Sequence, residues 1–396
     1  MLPDYKSRCP SMAPLLQPQR RKYLIGGVAV FILIVAIMVV VYITTSGGKD
    51  SFVLDRTPLF AGRNNLPQNI QLLVNNNLSR VDLNSDLRND STFDCPQCNT
   101  DFPRLKKGQV SSQFWIARSG CDENSRVSDA ISQLDVIDRM IKKYPDQLQR
   151  VKHSSDLDNV FENKKIGSLI GIDGGQSIMN TTAFLRVFYD LGVRALTLAT
   201  GCNEAALLDY IVQNGTLTDF GETAVREMNR LGMIIDAQGL STDSLTTVLN
   251  ISTVPIMISH SAAADLYGYP NNTNILTLDA LKSNDGLFMI TFDTVNFGPP
   301  DNDNISRSDV IHHINYIVDR IGFDNIAIGG NYDSMYKKPS GLEDVSDFPD
   351  LFTDLKNNNS ARWSPDNLDK LAGLNFKRFF QNVEKGRNTT QILDDE

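Results

Sequence analysis

Histidines and carboxylates are the side chains through which this chain could hold a metal ion or transfer protons. It has only four histidines, at positions His153, His260, His312 and His313. The spacings typical of metallohydrolases and serine hydrolases (His-x-His, His-Glu-x-x-His, Ser-His-Asp) do not occur. His153 lies in a polar stretch and is predicted to be at the surface. The adjacent His312 and His313 point about 100° apart on a predicted helix, which favours a core or solvated role. His260 ends a predicted strand and is the best placed for chemistry.

Further candidates follow short apolar segments of the chain. These strand-end positions are Arg63, Asn65, Asp173, Thr200, Asp236, Gly239, His260, Asn331, Tyr332 and Asp333. In a parallel barrel the carboxyl ends of the strands meet at one mouth, where active sites are built. These residues share one site only if the elements between them form such a barrel.

Alternating apolar and amphipathic segments predict that barrel. Predicted strands cover residues 53–61, 166–173, 195–199, 233–237, 255–260, 287–292 and 326–331. Predicted helices cover residues 127–144, 181–191, 220–231, 309–321 and 367–383. Strands that are apolar on both faces are typical of a parallel sheet covered by helices, and the alternation continues for roughly 300 residues. The predicted fold class is therefore α/β, a (β/α)8 TIM-like barrel. A doubly wound sheet is the alternative, but no Gly-x-Gly-x-x-Gly follows the first strand.

The composition is that of a globular protein. Of the 396 residues, 41% are apolar and 21% are charged, which excludes collagen-like, low-complexity and wholly disordered chains. The net charge of −9 argues against a nucleic-acid partner.

An apolar segment near the N-terminus predicts a membrane anchor. Residues 23–44 carry no charge and are long enough to cross a hydrocarbon core of ~30 Å. A cleaved signal peptide is the alternative, but its apolar region would span only about 7–15 residues. Arg20, Arg21 and Lys22 precede the segment, so the positive-inside rule predicts a single-pass type II protein at the cell surface or in the secretory pathway. The predicted organisation is a cytoplasmic tail (1–22), a transmembrane signal-anchor helix (23–44), a stalk (45–53), the barrel (54–385) and a C-terminal tail (386–396).

Glycosylation motifs occur only beyond the predicted anchor. Asn-x-Ser/Thr triplets begin at Asn77, Asn89, Asn180, Asn214, Asn250, Asn271, Asn304, Asn358 and Asn388. This one-sided placement is typical of a glycosylated extracellular or lumenal domain.

Seven motifs occur in the order found in one known family. They are residues 62–67 (Gly-Arg-Asn-Asn-Leu-Pro), 113–115 (Gln-Phe-Trp), 171–177 (Gly-Ile-Asp-Gly-Gly-Gln-Ser), 229–236 (Asn-Arg-Leu-Gly-Met-Ile-Ile-Asp), 258–261 (Ile-Ser-His-Ser), 329–333 (Gly-Gly-Asn-Tyr-Asp) and 341–346 (Gly-Leu-Glu-Asp-Val-Ser). With them, residues 54–383 resemble the membrane (renal) dipeptidase family of zinc peptidases. The resemblance implies a (β/α)8 barrel and, in relatives, a binuclear zinc centre that hydrolyses dipeptides.

The resemblance also implies that the zinc ligands are largely replaced here. Arg63 and Asn65 stand where relatives have the His and Asp that bind the first zinc, and Gly239 stands where they have a zinc-binding His. Asp173 replaces the bridging Glu and is one methylene shorter. Only His260 retains a histidine ligand. A binuclear centre needs around five or six N/O donors, so no metal cofactor is expected.

Several other positions of the implied pocket also carry residues that differ from those of relatives. Gln176 and Thr200 each replace a His, and Asn271 aligns loosely with the Arg that holds the substrate carboxylate. Asn331 replaces the catalytic Asp and cannot relay a proton as a carboxylate does. Tyr332 completes the pocket, and Asp333 is retained.

Arg63 suggests what takes the place of the metal. We expect its guanidinium to pair with Asp173 near the barrel mouth, because a cation replaces a zinc ligand opposite a retained carboxylate. The alternative is that Arg63 extends outward into solvent.

Five cysteines are too few for a disulfide scaffold. Cys121 and Cys202 align with a family disulfide, which an oxidising exterior favours. Cys95 and Cys98 form either a local disulfide, which is favoured, or a redox motif. No cysteine follows Cys202, so a homodimer, if inherited, would be non-covalent.

The sequence therefore predicts a membrane-anchored, dipeptidase-like protein that is catalytically inactive and acts by binding. Its partner would be a peptide or lipid in the emptied pocket, or a protein at the outer surface. The rival hypothesis is an active zinc-dependent dipeptidase with an altered site. A third is a non-catalytic subunit that associates with an active relative.

Overall fold

The structure is a computed structural model that describes residues 31, 34, 51–118, 120–122, 125–199, 211–213, 216–335, 337–388 and 390. Most of the predicted anchor 23–44, as well as Thr200, Cys202 and Asn214, lie outside the described residues. Within the described part of the chain, no helix combines the length and the apolar character that crossing a bilayer requires. The chain divides into two compact units between Phe52 and Val53, and the barrel belongs to the second.

Eight parallel strands form a closed barrel in the second unit. The described strands are β1 (Leu59–Asn64), β2 (Val110–Arg118), β3 (Leu148–Arg150), β4 (Ile166–Asp173), β5 (Val193–Thr197), β6 (Val212–Gln213), β7 (Thr216–Leu217), β8 (Ile234–Asp236), β9 (Met257–Ser261), β10 (Leu287–Thr291) and β11 (Ile326–Tyr332). The barrel order is β1-β2-β4-β5-β8-β9-β10-β11, and β11 pairs with β1 to close it. Strand β3 adds to β4, and β6 and β7 form a separate antiparallel pair.

Helices separate the barrel strands along the chain. The described α-helices are α1 (Val53–Arg56), α2 (Leu66–Val74), α3 (Phe102–Lys107), α4 (Arg126–Lys143), α5 (Asp156–Glu162), α6 (Ala183–Asp190), α7 (Asp219–Leu231), α8 (Thr242–Ile251), α9 (Ile275–Ser283), α10 (Arg307–Ile321), α11 (Phe348–Asn358), α12 (Pro365–Asp369) and α13 (Asn375–Lys385). Side-chain caps begin several of them: Thr218 accepts a hydrogen bond from the backbone of α7, Ser241 from α8 and Asn274 from α9.

The predicted barrel is confirmed, with corrections at particular elements. Residues 53–61 were predicted as one strand, but Val53–Arg56 form a helical turn and β1 begins at Leu59. Strand β2 carries one of the family motifs but had not been predicted as a strand. The helix predicted at 367–383 is interrupted by a π-helical segment, Lys370–Leu374, between α12 and α13.

Aromatic packing closes the amino-terminal end of the barrel. Phe376 of α13 stacks on Phe60, near the start of β1, with ring centroids 3.4 Å apart. Phe114 of β2 meets the Phe376 ring edge-on at 5.7 Å. All three rings belong to one buried cluster. The polar residues that could do chemistry are consequently left to the opposite, carboxyl-terminal end.

Candidate functional site

A close approach of two strands positions Arg63. Gly62 has φ of +73°, and a Cβ atom on it would lie 2.3 Å from the carbonyl oxygen of Gly329 on β11. Only glycine combines that backbone conformation with such an approach. The pairing register shifts immediately after Arg63, which lies opposite Gly330. The residue is buried, with 3% of its surface exposed.

The guanidinium of Arg63 reaches four other strands of the barrel. Nη2 donates to Oδ2 of Asp173, at the end of β4, over 2.9 Å. Nη1 donates to Oγ1 of Thr197 on β5 at 3.3 Å. The same nitrogen lies 3.4 Å from Oγ of Ser259 on β9 and 3.5 Å from Oδ2 of Asp236 on β8. The predicted pairing of Arg63 with Asp173 is thus confirmed, and the alternative of an outward-pointing side chain is wrong.

Asp236 is the second carboxylate beside Arg63, and it accepts several hydrogen bonds. The hydroxyls of Thr197 and Ser259 each donate to its Oδ2 at 2.6 Å. The backbone N–H groups of Ser259 and Gln238 each donate to its Oδ1 at 3.1 Å. These donors leave Asp236 little capacity for another ligand.

Burial and the shared cation act differently on the two carboxyl groups. Burial by itself would raise the pKa of Asp173, but the charge of Arg63 is the main cause that outweighs it and holds the pKa below its ordinary value. Burial raises the pKa of Asp236, and Arg63 and the two hydroxyls oppose that rise only in part. The strong partner of Arg63 is therefore the Asp173 carboxylate at 2.9 Å.

His260 is neutral at physiological pH. Burial and the nearby charge of Arg63 lower its pKa to about 3, although Asp173 opposes this. Its Nδ1 lies 2.8 Å from Oγ of Ser259, whose hydroxyl donates to Asp236. The imidazole is consequently part of the same network as Arg63.

Asn65 and Asn331 are buried and carry side-chain amide atoms without hydrogen-bond partners. Neither amide atom of the Asn65 side chain has a hydrogen-bond partner among the described residues, and neither does Oδ1 of Asn331. Asn331 also has φ of +79°, which non-glycine residues rarely adopt. Neutral amides at these two positions provide no charge for a metal ion or a proton relay.

Tyr332 and Asp333 form hydrogen bonds that stabilise the fold. The Tyr332 hydroxyl donates to the carbonyl oxygen of Leu342 at 3.1 Å. Asp333 accepts from the backbone N–H of Asn99 at 2.8 Å and from the Asn64 side chain at 3.3 Å. Burial raises the pKa of Asp333 above its ordinary value. The Asp333–Asn99 contact fastens the segment that precedes α3 to the end of β11.

The cysteines of that segment are oxidised. Cys95 and Cys98 form a disulfide, as predicted, and both are buried. Cys121 is disulfide-bonded as well, while Cys202, with which it is predicted to pair, lies outside the described residues.

Gly239 borders a polar cavity, whereas Gln176 is buried just beyond the end of β4. Gly239 has φ of +80° and contributes to a polar cavity of about 170 Å³ together with Gln238 and Asn271. Gln176 is buried in a 3₁₀ turn (Gly175–Ile178) that directly follows β4. Arg63, Asp173 and His260 do not line the 170 Å³ cavity.

The other histidines lie away from this cluster, as predicted. His153 is exposed and lies 3.1 Å from a carboxylate oxygen of Glu384. His313 is buried, and its Nδ1 accepts a hydrogen bond from the backbone of Ala263 at 3.1 Å. His312 is exposed on α10.

Comparison with known proteins agrees with this architecture. The family model "Membrane dipeptidase (Peptidase family M19)" matches residues 49–393. The chain belongs to the membrane dipeptidase family. An uncharacterized dipeptidase of Schizosaccharomyces pombe is 32% identical over 97% of this chain and 96% of its own length. Dipeptidase aclJ of Aspergillus oryzae is 34% identical over 84% of this chain and 79% of its own. The crystal structure of a metallopeptidase of family M19, dipeptidase AC, superposes with a TM-score of 0.71 at 17% identity, covering 83% of this chain and 98% of its own, which shows the shared fold.

Membrane dipeptidase relatives are zinc-dependent, so the residues here can be tested against a zinc centre. Within the described ranges, no three His, Cys, Asp or Glu side chains are grouped so that they could hold a metal ion. The Asp173 carboxylate is already paired with Arg63, and Asp236 already accepts four hydrogen bonds. A dication about 4 Å from the guanidinium would be repelled by roughly 8 kcal/mol at an effective dielectric of 20. The described residues do not fit a binuclear zinc centre.

Thr197 and Ser259 are the members of this cluster that the sequence reasoning missed. The sequence places Asp236 at the end of a strand but does not indicate that it accepts hydrogen bonds beside Arg63. Thr197 and Ser259 carry neutral hydroxyls, and although Ser259 lies in the motif 258–261, only His260 of that motif was singled out. Only their positions on β5 and β9, facing the barrel interior beside Asp236, could have indicated them.

Proposed function

We propose that this membrane dipeptidase family member is catalytically inactive and acts as a binding protein. The observation that carries the proposal is the position of the Arg63 guanidinium, 2.9 Å from Asp173 and 3.5 Å from Asp236. A fixed side-chain cation there neutralises the carboxylate that would otherwise face a metal ion. Asn331 supplies an amide where relatives have the catalytic acid.

One polar cavity at this end of the barrel is small, which favours a partner that binds outside it. The 170 Å³ cavity beside Gly239 is smaller than the ~300–1,000 Å³ of typical small-molecule sites. Its wall carries amide and hydroxyl groups, among them Gln238, Asn271 and Ser241. A protein contacting the outer surface, or a short peptide held by amide hydrogen bonds, suits such a wall better than a large ligand in an emptied pocket.

The proposed setting is the extracellular or lumenal side of a membrane. Residues 23–44 would anchor the chain in a type II topology, and the barrel would carry sugars. The sequon asparagines that the structure describes are all exposed: Asn77, Asn89, Asn180, Asn250, Asn271, Asn304, Asn358 and Asn388. Exposure leaves each of them accessible to a glycosyltransferase.

Metal content and dipeptide turnover test the proposed inactivity together. The purified full chain is incubated with zinc, desalted and analysed by mass spectrometry for bound metal, and hydrolysis is followed with a panel of dipeptides. We expect much less than one zinc per chain and no turnover above that of His260→Ala. Stoichiometric zinc, with turnover that His260→Ala abolishes, would refute the proposal.

An active dipeptidase is the second candidate, because the two fungal relatives are both named dipeptidases. The same assay decides between the two. A third candidate, a non-catalytic subunit, predicts that an active relative co-purifies with the tagged chain from its native membrane. Purification of the chain alone, with turnover absent, would leave the binding protein as the remaining hypothesis.

A further inference from the structure

A second cavity lies at the opposite end of the barrel from Arg63. It has a volume of about 730 Å³ and is bordered by Val110 and Ile166, the first residues of β2 and β4. Asp173 lies seven residues further along β4 than Ile166, which corresponds to about 23 Å of strand. The cavity is therefore separate from the candidate site.

The wall of this cavity is largely apolar. Leu54, Phe102 and Leu105 line it with 5% or less of their surface exposed, and the half-buried Phe161 lines it from α5. The volume falls within the ~300–1,000 Å³ range of small-molecule sites, which are mostly apolar with a few polar groups. One such polar group is Ser111, whose buried hydroxyl has no hydrogen-bond partner among the described residues.

Positive charge collects at the rim. Three lysines, Lys106, Lys164 and Lys165, line the cavity against two carboxylates, Asp55 and Glu162. This local excess of one positive charge contrasts with the net charge of −9 of the whole chain.

Two of the rim lysines are free to contact a ligand. Lys106 and Lys164 are exposed, and their side chains form no ion pair or hydrogen bond within the part of the chain that the structure describes. Lys165 donates to the carbonyl oxygen of Pro145 at 2.8 Å, which leaves its charge uncompensated. Of the two carboxylates, Asp55 already accepts a hydrogen bond from Gln109 at 2.7 Å.

We infer that this cavity binds an anionic amphiphile with a single apolar chain. The chain occupies the space between Phe102, Leu105 and Phe161, where it is removed from water. The head group, a carboxylate or a phosphate, lies at the rim and is attracted by Lys106 and Lys164. This binding activity is independent of the proposed loss of hydrolysis, because its residues are separate from the Arg63 cluster.

Photocrosslinking of the full chain tests the inference. A diazirine analogue of palmitate is crosslinked to the protein, and the labelled peptides are mapped by mass spectrometry. We expect label on the segments that contain α3 and α5. Laurate and dodecyl phosphate serve as competitors that distinguish a carboxylate from a phosphate head, and dodecanol serves as the uncharged control. Competition by either anion, with dodecanol much weaker, supports the inference.

Charge-reversal variants test the role of the rim. Lys106→Glu/Lys164→Glu should weaken labelling by about fivefold or more, since two attractions become repulsions. Lys356→Glu/Lys385→Glu changes two exposed lysines that do not line the cavity and should leave labelling unchanged. Equal melting temperatures of the two variants exclude misfolding as the cause. Absence of label on α3 and α5, equal competition by dodecanol, or equal labelling of both variants would overturn the inference.

Discussion

Replacing Arg63 with methionine removes the cation on which the barrel centre depends. The side chains of Arg63 and Asp236 are each 2% exposed and that of Asp173 is 21% exposed, so water compensates little for the loss. Removing one partner of a buried ion pair typically costs 3–5 kcal/mol. With a shift of about 2 °C per kcal/mol for a large domain, the melting temperature should fall by roughly 6–10 °C at pH 7.5.

The loss should depend on pH in a defined direction. Without Arg63, burial raises the pKa of Asp173 and of Asp236 above their unfolded values. When the pKa of a group is raised in the folded state, lowering the pH through that value stabilises the folded protein, because the folded state then takes up the proton. The difference in melting temperature between Arg63→Met and wild type should therefore be smaller at pH 5 than at pH 7.5.

A double-mutant cycle assigns the effect to the pair. Differential scanning fluorimetry is applied to wild type, Arg63→Met, Asp173→Asn and the double variant. The double variant should be destabilised by clearly less than the sum of the single variants, since residues in direct contact couple by about 0.5–3 kcal/mol. Arg226→Met is the matched control, because it removes an exposed ion pair with Glu222 and should cost about 0.5 kcal/mol or less. An Arg63→Met protein as stable as Arg226→Met, with additive effects in the cycle, would refute the reasoning.

Three further predictions concern single features of the fold. Gly62→Ala should destabilise the barrel by about 2 kcal/mol or more, because the new methyl group would clash with backbone at a position that has a left-handed conformation. Gly268→Ala is the control: its methyl group would meet no atom within 4 Å, so it should be nearly neutral in the same thermal assay. Asp173→Asn should lower the free energy of unfolding by a constant amount above about pH 5, and this difference from wild type should shrink below about pH 4. The reason is that the folded pKa of Asp173 lies below its ordinary value of 3.8. A difference that stays independent of pH down to acid unfolding would contradict this. Cys95→Ser/Cys98→Ser should lower the free energy of unfolding by about 2 kcal/mol, because the disulfide closes only a short loop. Thermal unfolding without reductant measures the loss, and an unchanged melting temperature would count against the prediction.

Most of the barrel strands could be predicted from the sequence because each is apolar by itself. Residues 166–173 and 287–292 were predicted as strands, and β4 and β10 occupy Ile166–Asp173 and Leu287–Thr291. Prediction failed where local pattern and tertiary context disagree. Val53–Arg56 is apolar enough to be predicted as a strand, yet it forms a helical turn at the entry to the barrel. Strand β2 mixes serine and glutamine with aromatic residues, and it is a strand because β1 and β4 pair with it on both sides.

The sequence by itself determined the family and the barrel, because these depend on residue types at fixed positions along the chain. From the same positions it predicts that the zinc ligands of relatives are replaced. It also indicated that Arg63 would pair with Asp173. Only the tertiary structure decided that the same guanidinium contacts Thr197, Asp236 and Ser259, since the strands carrying them meet only after the barrel closes. The cavity at the amino-terminal end depends on packing in the same way. The segment with α3 and the start of β2 is distant in sequence from the segment with α5 and the start of β4, and the two form one wall only in the folded chain.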